Sequence, residues 1–311
     1  MIETCLSYPG SKRKAMKEII QYLPDGITDW REPFFGGGSG TITFIQSLKS
    51  KDCKKFIVGD LYSEVWAFWK AVQANPAKVE AHAREMFKVC TKHTDLNGFE
   101  GSQDDYDKLY AEVIQQGQEF WNWTQSVAAE TEMDIYQRAA RFFIVNQISF
   151  SATSDSGSMS KERYLNFNID KVSKVRDVSR VIQPLEIVNE SFEITMKDLT
   201  PTSFIFLDPP YIAQEGSGLY GKGGSTHKGF PHQELADLCK SYGTEDEAAK
   251  WLMTIDDSIK ARMLYRGMFF KEFHIEYTMA MRASENALAG EELLITNYDL
   301  EDEEDDFGMF I

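Results

Sequence analysis

The sequence is short of several things whose absence narrows its class. It contains no run of 18 or more apolar residues, so no membrane-spanning helix is expected. Its first residues do not form a charged segment followed by an apolar one, so no secretory leader is expected and the cytoplasm is the expected location. Only four cysteines occur. Cys5, Cys53, Cys90 and Cys239 are far apart and form no C-x-x-C pair, a spacing that suggests neither a zinc site nor a disulfide framework, and no metal is expected. Cations are in deficit: 33 Lys and Arg face 49 Asp and Glu, a net charge of -16. Such a balance disfavours a polyanionic partner, because duplex affinity depends on cations that neutralise phosphates. Seven of the negative charges lie in one stretch, Asp299 to Asp306, which is expected to be extended, solvated and repulsive towards phosphate. Hydrophobic residues are not lacking. At 42% they suffice for a proper core, and 311 residues hold one large α/β domain with an insertion, or two domains.

Two stretches carry chemistry. Glu32-Pro-Phe-Phe-Gly-Gly-Gly-Ser-Gly40 follows a short apolar approach, with a strand expected over Thr28 to Phe34, and precedes a helix-compatible run, Thr41 to Leu48. Successive glycines cost backbone entropy and are tolerated where positive φ is needed or where a ligand approaches the main chain; a flexible surface loop is the other reading. The glycines at 36–40 have neither the dinucleotide spacing nor the Lys-Ser/Thr of a P-loop. The second stretch is Ser203-Phe-Ile-Phe-Leu-Asp208, a continuous apolar run of the kind found in a central parallel strand, leading into Pro209-Pro210-Tyr211. A carboxylate at that strand end lies where open α/β sheets bind ligands. An ordinary turn is the alternative for Asp-Pro-Pro.

Taken together and in this order, the stretches resemble the Dam-type DNA adenine-N6 methyltransferases. Tyr8-Pro9-Gly10-Ser11-Lys12 is similar to that family's aromatic-x-Gly-Gly-Lys opening, with Ser11 in place of the usual second glycine; Glu32 to Ser39 resembles its cofactor loop, and Asp208 to Tyr211 its catalytic motif. Weaker echoes are Glu190-Ser191-Phe192, Gly229-Phe230 with Leu235, and Glu292 to Ile295. The resemblance implies an α/β fold, a Rossmann-like methyltransferase three-layer sandwich with a mainly parallel sheet plus a helical target-recognition insertion. It implies S-adenosyl-L-methionine as cofactor, double-stranded DNA as partner, and Asp208, Pro209, Pro210 and Tyr211 as catalytic. At the cofactor it implies Tyr8 packing, Lys12 on the carboxylate, Phe34, Gly36, Gly38 and Ser39 around the methionine part, and Phe192 on the adenine ring. Asp60, closing a strand expected over Lys55 to Asp60, is placed to take two ribose hydroxyls. Cytosine-N4 or RNA methylation, and a catalytically silent nucleic-acid-binding or DNA-mimicking protein, are the competing readings.

The catalytic domain is expected from residues 1–70 and 185–311, with the recognition insertion at 71–184. Between Arg138 and Arg180 eight cations face four anions, a net +4 window in an acidic chain. Arg138 and Arg141 lie on a helix expected over Gln137 to Ile148 that ends near Asn146; a serine-rich loop to Ser160 follows, then Lys161, Arg163 and Asn166. These six are the expected DNA contacts, since cationic and amide side chains suit phosphates and bases. Ile212 to Lys228 reads as a mobile loop, Pro231 to Ser241 and Glu245 to Ala249 as helices, Trp251 to Ile255 as a strand, and Phe269 to Met281 with Glu292 to Tyr298 as a closing hairpin pair.

Overall fold

A computed structural model of the chain describes residues 1–7, 12, 14–88, 96, 98–127, 129–150, 154–212, 229–245, 247–274 and 291–300. Seven strands form one sheet in the order β3-β2-β1-β4-β5-β7-β6: β1 (Asp29–Glu32), β2 (Lys55–Gly59), β3 (Leu185–Val188), β4 (Ser203–Leu207), β5 (Lys250–Asp256), β6 (Phe269–His274) and β7 (Glu291–Thr296). The first five are parallel, and β7 runs antiparallel to both β5 and β6. The expected closing hairpin is thus present, its connection lying outside the described residues. All five residues of β4 are buried, which is why that strand reads as one apolar run rather than an alternating one.

Among the described residues, twelve helices accompany the sheet. The first is α1 (Met16–Ile19), tightening into a 3-10 turn over Ile20–Tyr22; α2 (Ser39–Ile45) and α3 (Ser63–Ala74) follow β1 and β2. Between β2 and β3 come also α4 (Pro76–Phe87), α5 (Gln103–Ser126), α6 (Ala129–Glu132), α7 (Ile135–Ile148), α8 (Lys161–Leu165) and α9 (Lys174–Val181). Then α10 (Phe192–Thr195) precedes β4, α11 (His232–Ser241) precedes β5, and α12 (Ile259–Leu264) follows it. Caps account for several starts. Asp134 and Gln137 form a reciprocal capping box on α7, and Asn75 caps α4 with Pro76 at its first position. Of Glu245 to Ala249, the described residues are not helical: Glu245, Glu247 and Ala248 lie in turns and bends, and Ala249 leads into β5.

The expected boundary at residue 70 falls inside α3, and the helices beyond it do not stand apart. Phe68 and Trp69 of α3, Val79 and Ala83 of α4 and Phe142, Phe143 and Val145 of α7 are all buried in the same apolar cluster as Trp30 of β1 and Val58 of β2. Trp30 is the hub where the sheet meets α2. Its ring stacks on Phe44 at 3.8 Å and lies 5.5 Å from Phe204. The strand order changes direction at β1, which has β2 on one side and β4 on the other, so the crevice outside the carboxyl ends of β1 and β4 is the place where an open α/β sheet binds a ligand.

Candidate active site

The loop after β1 is built to be held from below. Phe35 N–H donates to the Gly59 carbonyl at 2.8 Å, tying the ends of β1 and β2 together. Gly36 and Gly38 take φ of 44° and 72°, and a Cβ on Gly38 would stand 3.0 Å from both Phe35 and Trp69, so both the backbone conformation and the packing require glycine there. Trp69 donates its indole N–H to the Gly36 carbonyl at 2.8 Å. The helix behind the loop does not leave all its first N–H groups free, as a ligand-facing terminus would: Thr41 N–H donates to Glu32 at 2.8 Å. The Thr41 hydroxyl also donates to Glu32 and accepts from Trp30 Nε1. Burial pushes the Glu32 carboxyl up to about 8, with Asp208 and Asp60 adding negative charge nearby.

Asp60, directly after β2, closes the opposite wall. Its carboxylate accepts from Gly36 N at 2.8 Å and from Tyr62 N at 2.9 Å, so the glycine loop and the acid form one unit. Loss of water raises this carboxyl to about 6, the two N–H donors opposing the rise. Across the crevice Phe34, Phe192 and Phe230 form a triangle of rings, with centroids 5.6 to 6.0 Å apart. Phe230 was legible only as an echo after the catalytic motif; no chemical feature of a lone phenylalanine marks it as lining a site.

Asp208 follows β4 with a quarter of its side chain exposed. Lys12 does not stand apart from it, as a residue reserved for a cofactor carboxylate would. Its ammonium, 1% exposed, lies 3.0 Å from Asp208 Oδ1 and 3.6 Å from Glu292 Oε2, and it donates to the Tyr211 hydroxyl at 2.5 Å. The ammonium also sits 4.8 Å from the centre of the Tyr211 ring. Burial alone would discharge this lysine, but the charges of Asp208 and Glu292 outweigh it and hold its pKa above the usual value. Two further residues meet the turn: Thr254 donates to Asp208 Oδ1 at 2.8 Å, and Asp256 accepts from Ile212 N at 2.7 Å. Thr254, Asp256 and Glu292 were not expected at the site, because a polar residue in or beside a strand gives no local sign of which neighbour it meets.

The structure brings together Lys12, Phe34, Gly36, Gly38, Ser39, Asp60, Phe192 and Asp208 to Tyr211 around the carboxyl ends of β1, β2 and β4. Tyr8 lies outside the described residues, as do most of the loop after Ile212 and the acidic stretch beyond Leu300. The six residues expected at DNA fall into two groups. Arg141 and Asn146 are interior. Arg141 donates to both oxygens of Asp155 at 2.7 and 3.3 Å, and Asn146, with no exposed surface, bonds Ser7 N, Ser7 O and Ser154 Oγ. Arg138 pairs with Glu64 at 2.8 Å, and Arg163 donates to the carbonyls of Gln147 and Asn146. Their charge and amide groups bond within the fold, to Glu64, Asp155 and Ser7 among others, rather than face outward. Lys161 and Asn166 are exposed.

Known proteins with this sequence pattern agree with the geometry. Residues 8–282 match the model of the family described as D12 class N6 adenine-specific DNA methyltransferase. The type II methyltransferase M1.LlaDCHI of Lactococcus lactis subsp. cremoris is 22% identical over 299 residues, covering 94% of this chain and 94% of that protein. M.MjaIII of Methanocaldococcus jannaschii is 21% identical, covering 90% and 92%, and M.CviBI of Paramecium bursaria Chlorella virus NC1A is 21% identical, covering 94% and 98%. A family model that spans most of the chain, over a sheet whose strand ends gather the glycine loop and Asp-Pro-Pro-Tyr, settles the family: the chain belongs to the D12 class of N6 adenine-specific DNA methyltransferases.

Proposed function

We propose that the chain methylates the N6 amine of an adenine swung out of duplex DNA, using S-adenosyl-L-methionine, with Asp208 to Tyr211 as the catalytic turn. The observation that carries this is the convergence of Asp208, Asp60 and the glycine loop at the point where the sheet changes direction. The donor set fits the cofactor. Asp60 keeps acceptor capacity for ribose hydroxyls beyond its two N–H donors, and the phenylalanine triangle offers faces to an adenine ring. When bound, S-adenosyl-L-methionine supplies a methyl group on a positively charged sulfur.

The chain's own task is the nucleophile. An adenine amine is planar because its lone pair is delocalised into the ring. Asp208 accepts one amino hydrogen and the Pro209 carbonyl the other, which draws the nitrogen towards tetrahedral geometry and frees the pair. Two prolines fix the backbone that carries this carbonyl. Tyr211 presents a ring on which the flipped base stacks, a contact worth about 1–3 kcal/mol. Juxtaposing the two bound reactants removes a further ~7–11 kcal/mol of barrier. DNA is held by the helical segment 71–184, where Lys161 and Asn166 are exposed, as are Lys174, Arg176 and Arg180 of α9. Labelled methyl transfer to unmethylated DNA followed by nucleoside digestion tests the proposal: label in N6-methyladenine supports it, and label in N4-methylcytosine or in RNA alone overturns it.

A further inference from the structure

The catalytic turn is held at both ends by the strand beside it. Met253 of β5 is the register partner of Leu207, the last residue of β4. The next two positions of β5 that share a face are Thr254 and Asp256, since side chains two apart on a strand point the same way. Thr254, with no exposed surface, donates its hydroxyl to Asp208 Oδ1 at 2.8 Å, and Asp256 Oδ1 accepts from Ile212 N at 2.7 Å. Asp208 and Ile212 are the first residue of the turn and the one just past Tyr211. Oδ1 is doubly engaged, because the Lys12 ammonium also reaches it at 3.0 Å. No donor among the described residues reaches Oδ2.

We infer that Thr254 and Asp256 are positioning residues for methyl transfer: they fix the rotation of the Asp208 carboxylate and the path of the turn, so that Oδ2 is the oxygen presented to the target amine. The inference rests on the reading of Asp208 as acceptor of an amino hydrogen. A carboxylate on a single χ2 rotor turns freely unless one oxygen is anchored, and the terminal torsion of aspartate is broad. A hydroxyl in the wall of the strand anchors it without adding charge to the site. Lys12 cannot serve alone, since its ammonium is shared among Asp208, Glu292 and Tyr211 and hangs on a flexible stem. The Asp256 carboxylate does the corresponding work at the far end, where it holds the N–H of Ile212, the residue just past Tyr211.

Thr254→Val keeps the shape and removes the donor, whereas Thr254→Ser keeps the donor. Asp256→Asn keeps an oxygen for the Ile212 N–H, whereas Asp256→Ala removes it. Single-turnover methylation of duplex DNA, cofactor affinity by calorimetry and thermal melting are measured on the full chain for all four, beside the unmutated protein. The expected result for Thr254→Val is a rate about 10- to 100-fold lower, the range that a misplacement of around 1 Å produces, with cofactor affinity and melting temperature unchanged and with Thr254→Ser within about threefold of the unmutated rate. Asp256→Ala is expected to slow transfer in the same way and Asp256→Asn to restore most of it. An unmutated rate in Thr254→Val overturns the inference. So does a loss in all four variants that follows their melting temperatures, the outcome of a purely structural role. An unmutated protein that binds cofactor but methylates no adenine would instead remove the parent reading of Asp208.

Discussion

The proposed chemistry turns on Asp208, and replacing it is expected to separate binding from catalysis. Asp208→Ala is expected to abolish methyl transfer while cofactor affinity stays within about tenfold, because one lost contact typically costs ~1–1.5 kcal/mol; a single-turnover assay beside calorimetry checks both halves. Asp60 gives the pH dependence. Its carboxyl is raised to about 6 by loss of water, and ribose hydroxyls donate to the ionised form. Cofactor affinity is therefore expected to be full above pH 6 and to fall by up to about tenfold per unit below it, a loss that Asp60→Asn removes along with most of the affinity. In the protein alone the sign is opposite: a carboxyl raised above its unfolded value makes the fold less stable as pH rises through that range. Residues that announce themselves do so through contiguous chemistry, as Asp208 to Tyr211 and Gly36 to Gly40 do. Lys12 was legible as a site residue, but its partners were not, since Asp208 and Glu292 are brought to it only by the sheet.

At the scale of elements, the glycine loop and α7 show how support differs from contact. A side chain at Gly38 meets Phe35, Trp69 and Ile42, so bulk there acts on packing. Gly38→Ala is expected to lose about 1–2 kcal/mol from the left-handed backbone alone, read as a lower denaturation midpoint, with cofactor binding retained by the fraction that stays folded. On α7, Arg141→Met leaves Asp155 and Glu64 buried without their shared cation, and burial already raises the Glu64 carboxyl. A loss of about 3–5 kcal/mol is expected in urea. Unchanged stability would return Arg141 to the candidates for DNA contact. Tyr62 joins the same network, its hydroxyl 2.5 Å from Asp155, so the turn that bears Asp60 shares one buried charge cluster with α3, α7 and the segment after α7. Strands β2, β4 and β5 were legible from their apolar runs, and β1 from its place before the glycine loop. β3 was not: four residues with an exposed Glu186 at the sheet edge give too short a pattern. The helix composition of Glu245 to Ala249 failed for the converse reason, since so short a run gains few helical hydrogen bonds against the cost of nucleation, and its described residues form turns and bends instead.

The whole molecule is acidic, and its DNA affinity has to come from a local field acting within a Debye length of about 8 Å at physiological salt. Exposed Lys161 and Lys174 supply such a field; Arg138 and Arg141 do not, because their carboxylate partners cancel them, and on α9 Arg176 and Arg180 are likewise paired, with Glu80 and Asp177. Lys161→Ala is expected to weaken binding equally on all DNA sequences and to reduce the slope of log affinity against log salt by about 1. A slope that does not change would place the phosphate contacts elsewhere. Fold class was legible at this scale because alternating strand and helix patterns with ligand-type turns at strand ends admit few other architectures. The insertion's inward arginines were not, since a sequence gives the sign of a charge but not the direction in which it points. The central claim is that the turn at the end of β4 methylates adenine N6. Its most direct test is transfer of labelled methyl groups from S-adenosyl-L-methionine to unmethylated duplex DNA, with nucleosides separated after digestion, for the unmutated chain and for Asp208→Ala. Label confined to N6-methyladenine and lost in Asp208→Ala is the predicted result; label in another nucleoside, or undiminished transfer by Asp208→Ala, would contradict it.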